Sequence, residues 1–131
     1  MKQAVAAIVF TILVAMPAAV WAGGEVVIEA VSPATFKQKM DTMEGTLLDV
    51  RTPKEYQEGH LIGATNMNFF DEDFKARLEA LPKEKTYFVY CRSGGRSGKT
   101  REIMRQAGFQ RVYDMSGGFS QWSAEGLPSE K

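Results

Sequence analysis

Cysteine and histidine are scarce in this chain of 131 residues, which contains one of each. The single thiol, Cys91, cannot close a disulfide within the chain, and together with His60 it cannot supply the ligand cluster of a zinc site. Neither charge is in excess, because 16 basic residues balance 16 acidic ones. This balance gives no support for a nucleic-acid partner or an anionic membrane surface. We expect no metal, no other cofactor and no nucleic acid.

The N-terminal segment is typical of a secretory signal peptide. Lys2 precedes an apolar run over residues 4–15, Pro17 interrupts it, and Val20 and Ala22 are small residues suited to a peptidase site. We predict a signal peptide over 1–22, a mature domain over 23–131, and a periplasmic or otherwise exported protein without membrane attachment after cleavage. The alternative is an uncleaved anchor, since residues 4–22 are nearly long enough to span a bilayer.

Strand-like and helix-like patterns alternate along the rest of the chain. Short apolar runs predict strands at residues 26–28, 46–50, 64–67, 86–90 and 112–115. Helix starts are predicted at Ser32-Pro33, at Thr52-Pro53, at Asp71, in the loop after Cys91, and at Gly117-Gly118. This order predicts a three-layer α/β/α domain with a central, mainly parallel sheet of about five strands.

The single cysteine follows the predicted strand 86–90, in a polar, glycine-rich loop that leads into a predicted helix ending near Gly108. Backbone N–H groups at a helix N-terminus favour negative charge, and Arg92 and Arg96 act in the same direction. We therefore expect the thiol of Cys91 to ionise more readily than a free cysteine and to act as a nucleophile.

The loop Cys91-Arg92-Ser93-Gly94-Gly95-Arg96-Ser97 resembles the active-site loop of rhodanese-type sulfurtransferases. Two further stretches resemble the same family, one from Asp49-Val50-Arg51 to Gly59-His60-Leu61-Ile62-Gly63-Ala64 and one from Gly117-Gly118-Phe119 to Gly126-Leu127-Pro128. Together they resemble a complete single rhodanese-like domain from about Val26 to Pro128.

The resemblance implies a thiosulfate sulfurtransferase that works through a Cys91 persulfide. The thiolate takes sulfane sulfur from a small anionic donor such as thiosulfate and passes it to a thiol, to cyanide or to a protein acceptor. The residues expected to surround the donor and the outer sulfur are Arg92, Ser93, Gly94, Gly95, Arg96 and Ser97. Asp49, Arg51 and His60 are expected to support the site structurally, with catalysis by Asp49 or proton transfer by His60 as the alternatives.

Competing interpretations of the loop depend on spacing. A tyrosine-phosphatase-like loop has an arginine six positions after the cysteine, where this chain has Ser97. A Walker A motif ending at Gly98-Lys99-Thr100 would need a glycine where Ser93 stands. Two-domain thiosulfate sulfurtransferases carry an arginine at the position of Glu55 and a lysine at that of Ser93, so the physiological donor stays open. The alternative function is a non-catalytic or persulfide-carrier rhodanese module acting with a protein partner.

Overall fold

The computed structural model describes residues 25–131. The predicted signal peptide over 1–22 lies outside this range. Within residues 25–131, no helix combines the length and the apolar character needed to cross a membrane.

Seven strands and five helices make up the described part of the chain. The strands are β1 (Val27–Val31), β2 (Thr46–Asp49), β3 (His60–Leu61), β4 (Thr65–Asn66), β5 (Thr86–Tyr90), β6 (Arg111–Met115) and β7 (Ser129–Glu130). The helices are α1 (Pro33–Thr42), α2 (Pro53–Glu58), α3 (Phe74–Glu79), α4 (Gly95–Gln106) and α5 (Gly118–Ala124).

Five strands form a central sheet in the order β1-β6-β5-β2-β4, and every neighbouring pair is parallel. Side chains alternate between the two faces of a strand. On β5, Tyr87 and Val89 pack with residues of α3 and α4, whereas Phe88 and Tyr90 pack with residues of α1 and α5. Helices therefore cover both faces, and the predicted three-layer α/β/α fold with a parallel sheet of about five strands is confirmed.

Four of the five predicted helix starts agree with the structure, and one does not. Ser32 caps α1, and Thr52 with Glu55 forms a capping box at α2, as their spacing predicts. The helix expected to begin at Asp71 begins instead at Phe74. Asn68 donates a side-chain hydrogen bond to Asp71 at 3.2 Å, and such contacts favour a turn over a helix.

The sequence patterns did not predict a second, two-stranded sheet. In it β3 pairs with β7 in antiparallel fashion, with His60 opposite Glu130 and Leu61 opposite Ser129. Strands of two residues are too short to show a hydrophobic period. This pairing holds the end of the chain against the segment that contains His60.

Candidate active site

Cys91 is the first residue after β5, a central strand of the sheet. Ligand sites of parallel α/β sheets lie at this carboxyl edge. The side chain is only 1% exposed and contributes to the core, so the thiol is more deeply buried than a polar loop predicts. Burial follows from its position at the end of a strand that is covered on both faces. Gly94 caps α4 at φ +113°, in the left-handed region that favours glycine.

Hydrogen-bond donors converge on the sulfur of Cys91. The backbone N–H of Gly94 donates to Sγ at 3.1 Å, and Oγ of Ser97 lies 3.4 Å from Sγ. Burial raises the pKa of the thiol, but the Ser97 side chain and the N–H groups of Ser97, Gly94 and Ser93 more than offset this. The pKa of Cys91 therefore lies below its ordinary value, which favours the nucleophilic thiolate.

The first turn of α5 contacts the start of the cysteine loop (residues 91–97) through two backbone hydrogen bonds. Phe119 N–H donates to the carbonyl of Cys91 at 2.8 Å, and Ser120 N–H donates to that of Arg92 at 2.9 Å. Gly118 makes this approach possible, because a Cβ at this position would lie 2.5 Å from the Cys91 carbonyl oxygen. The sequence had indicated a helix start at Gly117-Gly118 but not this contact with the loop.

Arg96, which was predicted to contact the donor, forms a bidentate ion pair with Glu55. Nη1 lies 2.7 Å from Oε1 and Nη2 lies 3.0 Å from Oε2. The Arg96 guanidinium is the main reason that the pKa of Glu55 is lowered to about 2, against the opposing effect of partial burial. The local sequence predicted only that Glu55 caps α2 by accepting a hydrogen bond from Thr52 N–H. Nothing near Glu55 in the sequence indicated its ion pair with Arg96, 41 residues away.

Arg92 lies on the outer side of the loop and is exposed. It borders a cavity of about 400 Å³ that is also lined by Arg51, Glu55, Glu58, Phe119, Ser120 and Ser123. Ser93 and Gly95 are also exposed, whereas Ser97 is fully buried next to the thiol. The predicted loop residues thus lie around Cys91. The side chain of Arg92 is exposed, whereas that of Arg96 is paired with Glu55.

Asp49 and Arg51 form a buried ion pair at the end of β2. Nη2 of Arg51 lies 2.7 Å from Oδ2 of Asp49 and also donates to the Gly59 carbonyl at 2.6 Å. The hydroxyl of Tyr90 donates to the same Asp49 oxygen at 2.6 Å. Arg51 Cζ lies 4.4 Å from the ring centroid of Phe119 on α5. These contacts join β2, β5, α5 and the segment after α2, which is the arrangement that a structural support requires.

His60 lies within the second, smaller sheet. Its ring stacks on that of Tyr56 with centroids 3.7 Å apart, and Nδ1 is 2.8 Å from the Tyr56 carbonyl oxygen. Nε2 is 3.4 Å from a carboxylate oxygen of Glu130. Both nitrogens therefore face groups other than the thiol, a setting that favours structural support over proton transfer. Among residues 25–131, no group of three or more His, Cys, Asp or Glu residues is placed to hold a metal ion.

Comparisons with known proteins agree with this architecture. A family model described as Rhodanese-like domain matches residues 32–125. Thiosulfate sulfurtransferase 16, chloroplastic, from Arabidopsis thaliana is 37% identical over 93 residues, which are 63% of this chain and 78% of that protein. A sulfurtransferase from Allochromatium vinosum is 34% identical over 67% of this chain and 80% of its own length. The crystal structure of a rhodanese-related protein from Thermoplasma volcanium superimposes with a TM-score of 0.69 at 27% identity, covering 78% of this chain and 97% of that one.

Proposed function

Since the chain belongs to the rhodanese family, with the matching domain over residues 32–125, we propose that it is a sulfurtransferase that carries sulfane sulfur as a persulfide on Cys91. The observation that carries this proposal is the Gly94 N–H at 3.1 Å from Sγ, in a loop where the pKa of the thiol is lowered. Relatives named as sulfurtransferases support it at 34–37% identity.

In the first half-reaction the Cys91 thiolate attacks the outer sulfur of a donor such as thiosulfate. A sulfur–sulfur bond forms to Sγ, the bond between the outer sulfur and sulfite breaks, and sulfite leaves with the electron pair. The persulfide then carries negative charge on its outer sulfur, which is bonded to Sγ, and the Gly94 N–H lies 3.1 Å from Sγ. Fixed N–H groups at such a position stabilise developing charge without reorganisation.

In the second half-reaction an acceptor thiolate or cyanide attacks the outer sulfur. The bond to Sγ breaks, and Cys91 leaves as the thiolate, ready for another donor. Because the enzyme holds the sulfur covalently between the two steps, donor and acceptor should show ping-pong kinetics. The alternative use of the same persulfide is carriage, in which the sulfur passes to a protein partner.

Intact-mass measurement tests the persulfide directly. We expect the wild-type protein to gain the mass of one sulfur atom after treatment with thiosulfate and to lose it after addition of cyanide or a thiol. Steady-state turnover with small acceptors would support the enzyme, whereas a stable persulfide discharged only by a protein acceptor would support the carrier. Failure of every sulfane donor to add a sulfur atom to Cys91 would refute both.

We also propose that the protein is exported and loses residues 1–22. The support is the pattern of Lys2, the short apolar run and the small residues at Val20 and Ala22. N-terminal sequencing of protein from the native compartment should find a start at Gly23. An intact Met1 terminus in a membrane fraction would instead establish the uncleaved anchor.

A further inference from the structure

Two arginine side chains near the cysteine loop are paired with carboxylates. Glu55 uses both carboxylate oxygens to bind Arg96, and the two side chains are only 22% and 19% exposed. Arg51 is paired with Asp49 in the same way. Two of the three guanidinium groups near the loop are therefore neutralised by carboxylates, and little attraction for a small anion remains from them.

The third guanidinium, that of Arg92, shares its cavity with a carboxylate. Arg92 and Glu58 are both exposed, both line the cavity of about 400 Å³, and neither forms an ion pair with another residue in 25–131. A cavity of this size suits a small organic molecule. One free charge of each sign suits a ligand that carries both an ammonium and a carboxylate group.

We propose that Glu55 is a specificity-determining residue that acts by neutralising Arg96. The site then disfavours dianionic donors such as thiosulfate and favours zwitterionic donors, namely persulfides of amino-acid thiols. This inference rests on the proposed sulfurtransferase function and names its substrate class. The donor's carboxylate would face Arg92 and its ammonium group Glu58. Arg92 directly follows Cys91 in the chain, so the cavity lies next to the cysteine loop. There the outer sulfur would transfer to Sγ of Cys91 as described above, while the amino-acid thiolate leaves with the electron pair.

Glu55→Gln is the variant that separates charge from structure. A glutamine can still accept the capping hydrogen bond from Thr52 N–H, so α2 should keep its start, but it no longer neutralises Arg96. Glu102→Gln is a matched control, because it removes a carboxylate that binds Arg105 elsewhere on the surface. Far-UV circular dichroism should show that both variants keep the wild-type fold.

The first measurement compares kcat/KM for thiosulfate with kcat/KM for cysteine persulfide. We expect Glu55→Gln to raise the thiosulfate value about tenfold and to change the cysteine persulfide value by less than about twofold. Any effect of the released Arg96 on the nearby thiol acts on the nucleophile and therefore on both donors alike, so it leaves their ratio unchanged. An unchanged ratio, or a loss of thiosulfate use in Glu55→Gln, would overturn the inference.

The second measurement does not require turnover. In a Cys91→Ser background thiosulfate binds without reacting, and titration calorimetry then gives its affinity for the protein with and without the Glu55→Gln substitution. Here Glu55→Gln should tighten thiosulfate binding about tenfold, and the tighter binding should weaken as salt rises from about 0.05 M to about 0.5 M. Equal thiosulfate affinities with and without the substitution would refute the role of Glu55, even if the protein transfers sulfur. Tighter binding without any sulfur transfer would refute the proposed function and support the role of Glu55.

Discussion

The hydroxyl of Tyr90 lies 2.6 Å from Oδ2 of Asp49. This hydrogen bond joins β5 to β2, and Tyr90 directly precedes Cys91 in the chain. The same hydroxyl accepts a hydrogen bond from Leu61 N–H at 3.1 Å. Burial next to the Asp49 carboxylate raises the pKa of Tyr90, so the hydroxyl stays protonated and keeps donating. One oxygen atom therefore connects β2, β5 and β3 beneath the cysteine loop.

Tyr90→Phe should destabilise the protein by about 1–3 kcal/mol, because it leaves a buried carboxylate oxygen and the Leu61 N–H without this partner. Urea denaturation followed by fluorescence measures the change in the free energy of unfolding. Tyr113→Phe is the matched control, since Tyr113 is also buried and its hydroxyl forms no hydrogen bond with residues 25–131. Equal losses in the two variants would show that the hydroxyl network contributes nothing specific.

Cys91→Ser should abolish sulfur transfer while the protein remains folded. Serine is close in size to cysteine and can use the same donor from Gly94, but its hydroxyl is far less nucleophilic and cannot form a persulfide. Transfer from thiosulfate to cyanide measures activity, and far-UV circular dichroism measures the fold. Retention of substantial activity in this variant would disprove the persulfide mechanism.

Ser97→Ala should raise the pKa of the Cys91 thiol, because it removes the side-chain hydrogen bond that most strongly counters the effect of burial. The rate of alkylation by iodoacetamide as a function of pH measures this pKa. The inflection should move to higher pH in Ser97→Ala. Ser93→Ala serves as the control, since only the backbone N–H of Ser93 contributes and alanine retains it. Identical inflections in Ser97→Ala and wild type would contradict the assignment.

Gly118→Ala should disrupt the site, whereas Gly126→Ala should cost only backbone strain. Both glycines have positive φ, +56° and +71°, so each substitution costs about 1–2 kcal/mol through left-handed strain. A Cβ at position 118 would also lie 2.6 Å from the Arg92 carbonyl oxygen, but one at 126 meets nothing within 4 Å. We expect the collision to cost about 1–3 kcal/mol more. Similar melting temperatures would argue against the tight approach of α5 to the loop.

Acid should remove the stabilisation that Glu55 provides. The pKa of Glu55 is lowered to about 2 in the folded protein by the hydrogen bonds from Arg96, and it is about 4.3 in an unfolded chain. A carboxylate with a lowered pKa stabilises the fold above its unfolded value, and the effect is lost as the pH falls toward 2. The difference in unfolding free energy between wild type and Glu55→Gln should therefore be full at neutral pH and shrink over this range. A difference that does not depend on pH would point to packing instead.

Much of the fold and part of the site follow from local sequence. The apolar runs that became β2 and β5, the cap at Thr52 and the glycine-bounded helix α4 were all predicted from residues close to one another. Local patterns suffice here because strand burial, helix capping and glycine turns depend on neighbouring residues. The position of Cys91 between a strand and a helix is local in the same sense, and so is its hydrogen bond from Gly94.

Only the tertiary structure decided which charged groups near Cys91 are paired with one another. Arg96 binds Glu55, and Tyr90 binds Asp49, each across 41 positions in sequence. Hydrophobic period and turn chemistry carry no information about such pairs, which depend on strand order and on the relative placement of α2 and α4 at one sheet edge. The position of the proposed nucleophile, Cys91, could thus be predicted from the sequence around it, whereas the pairing of the charged side chains near it was set only when the parallel sheet forms.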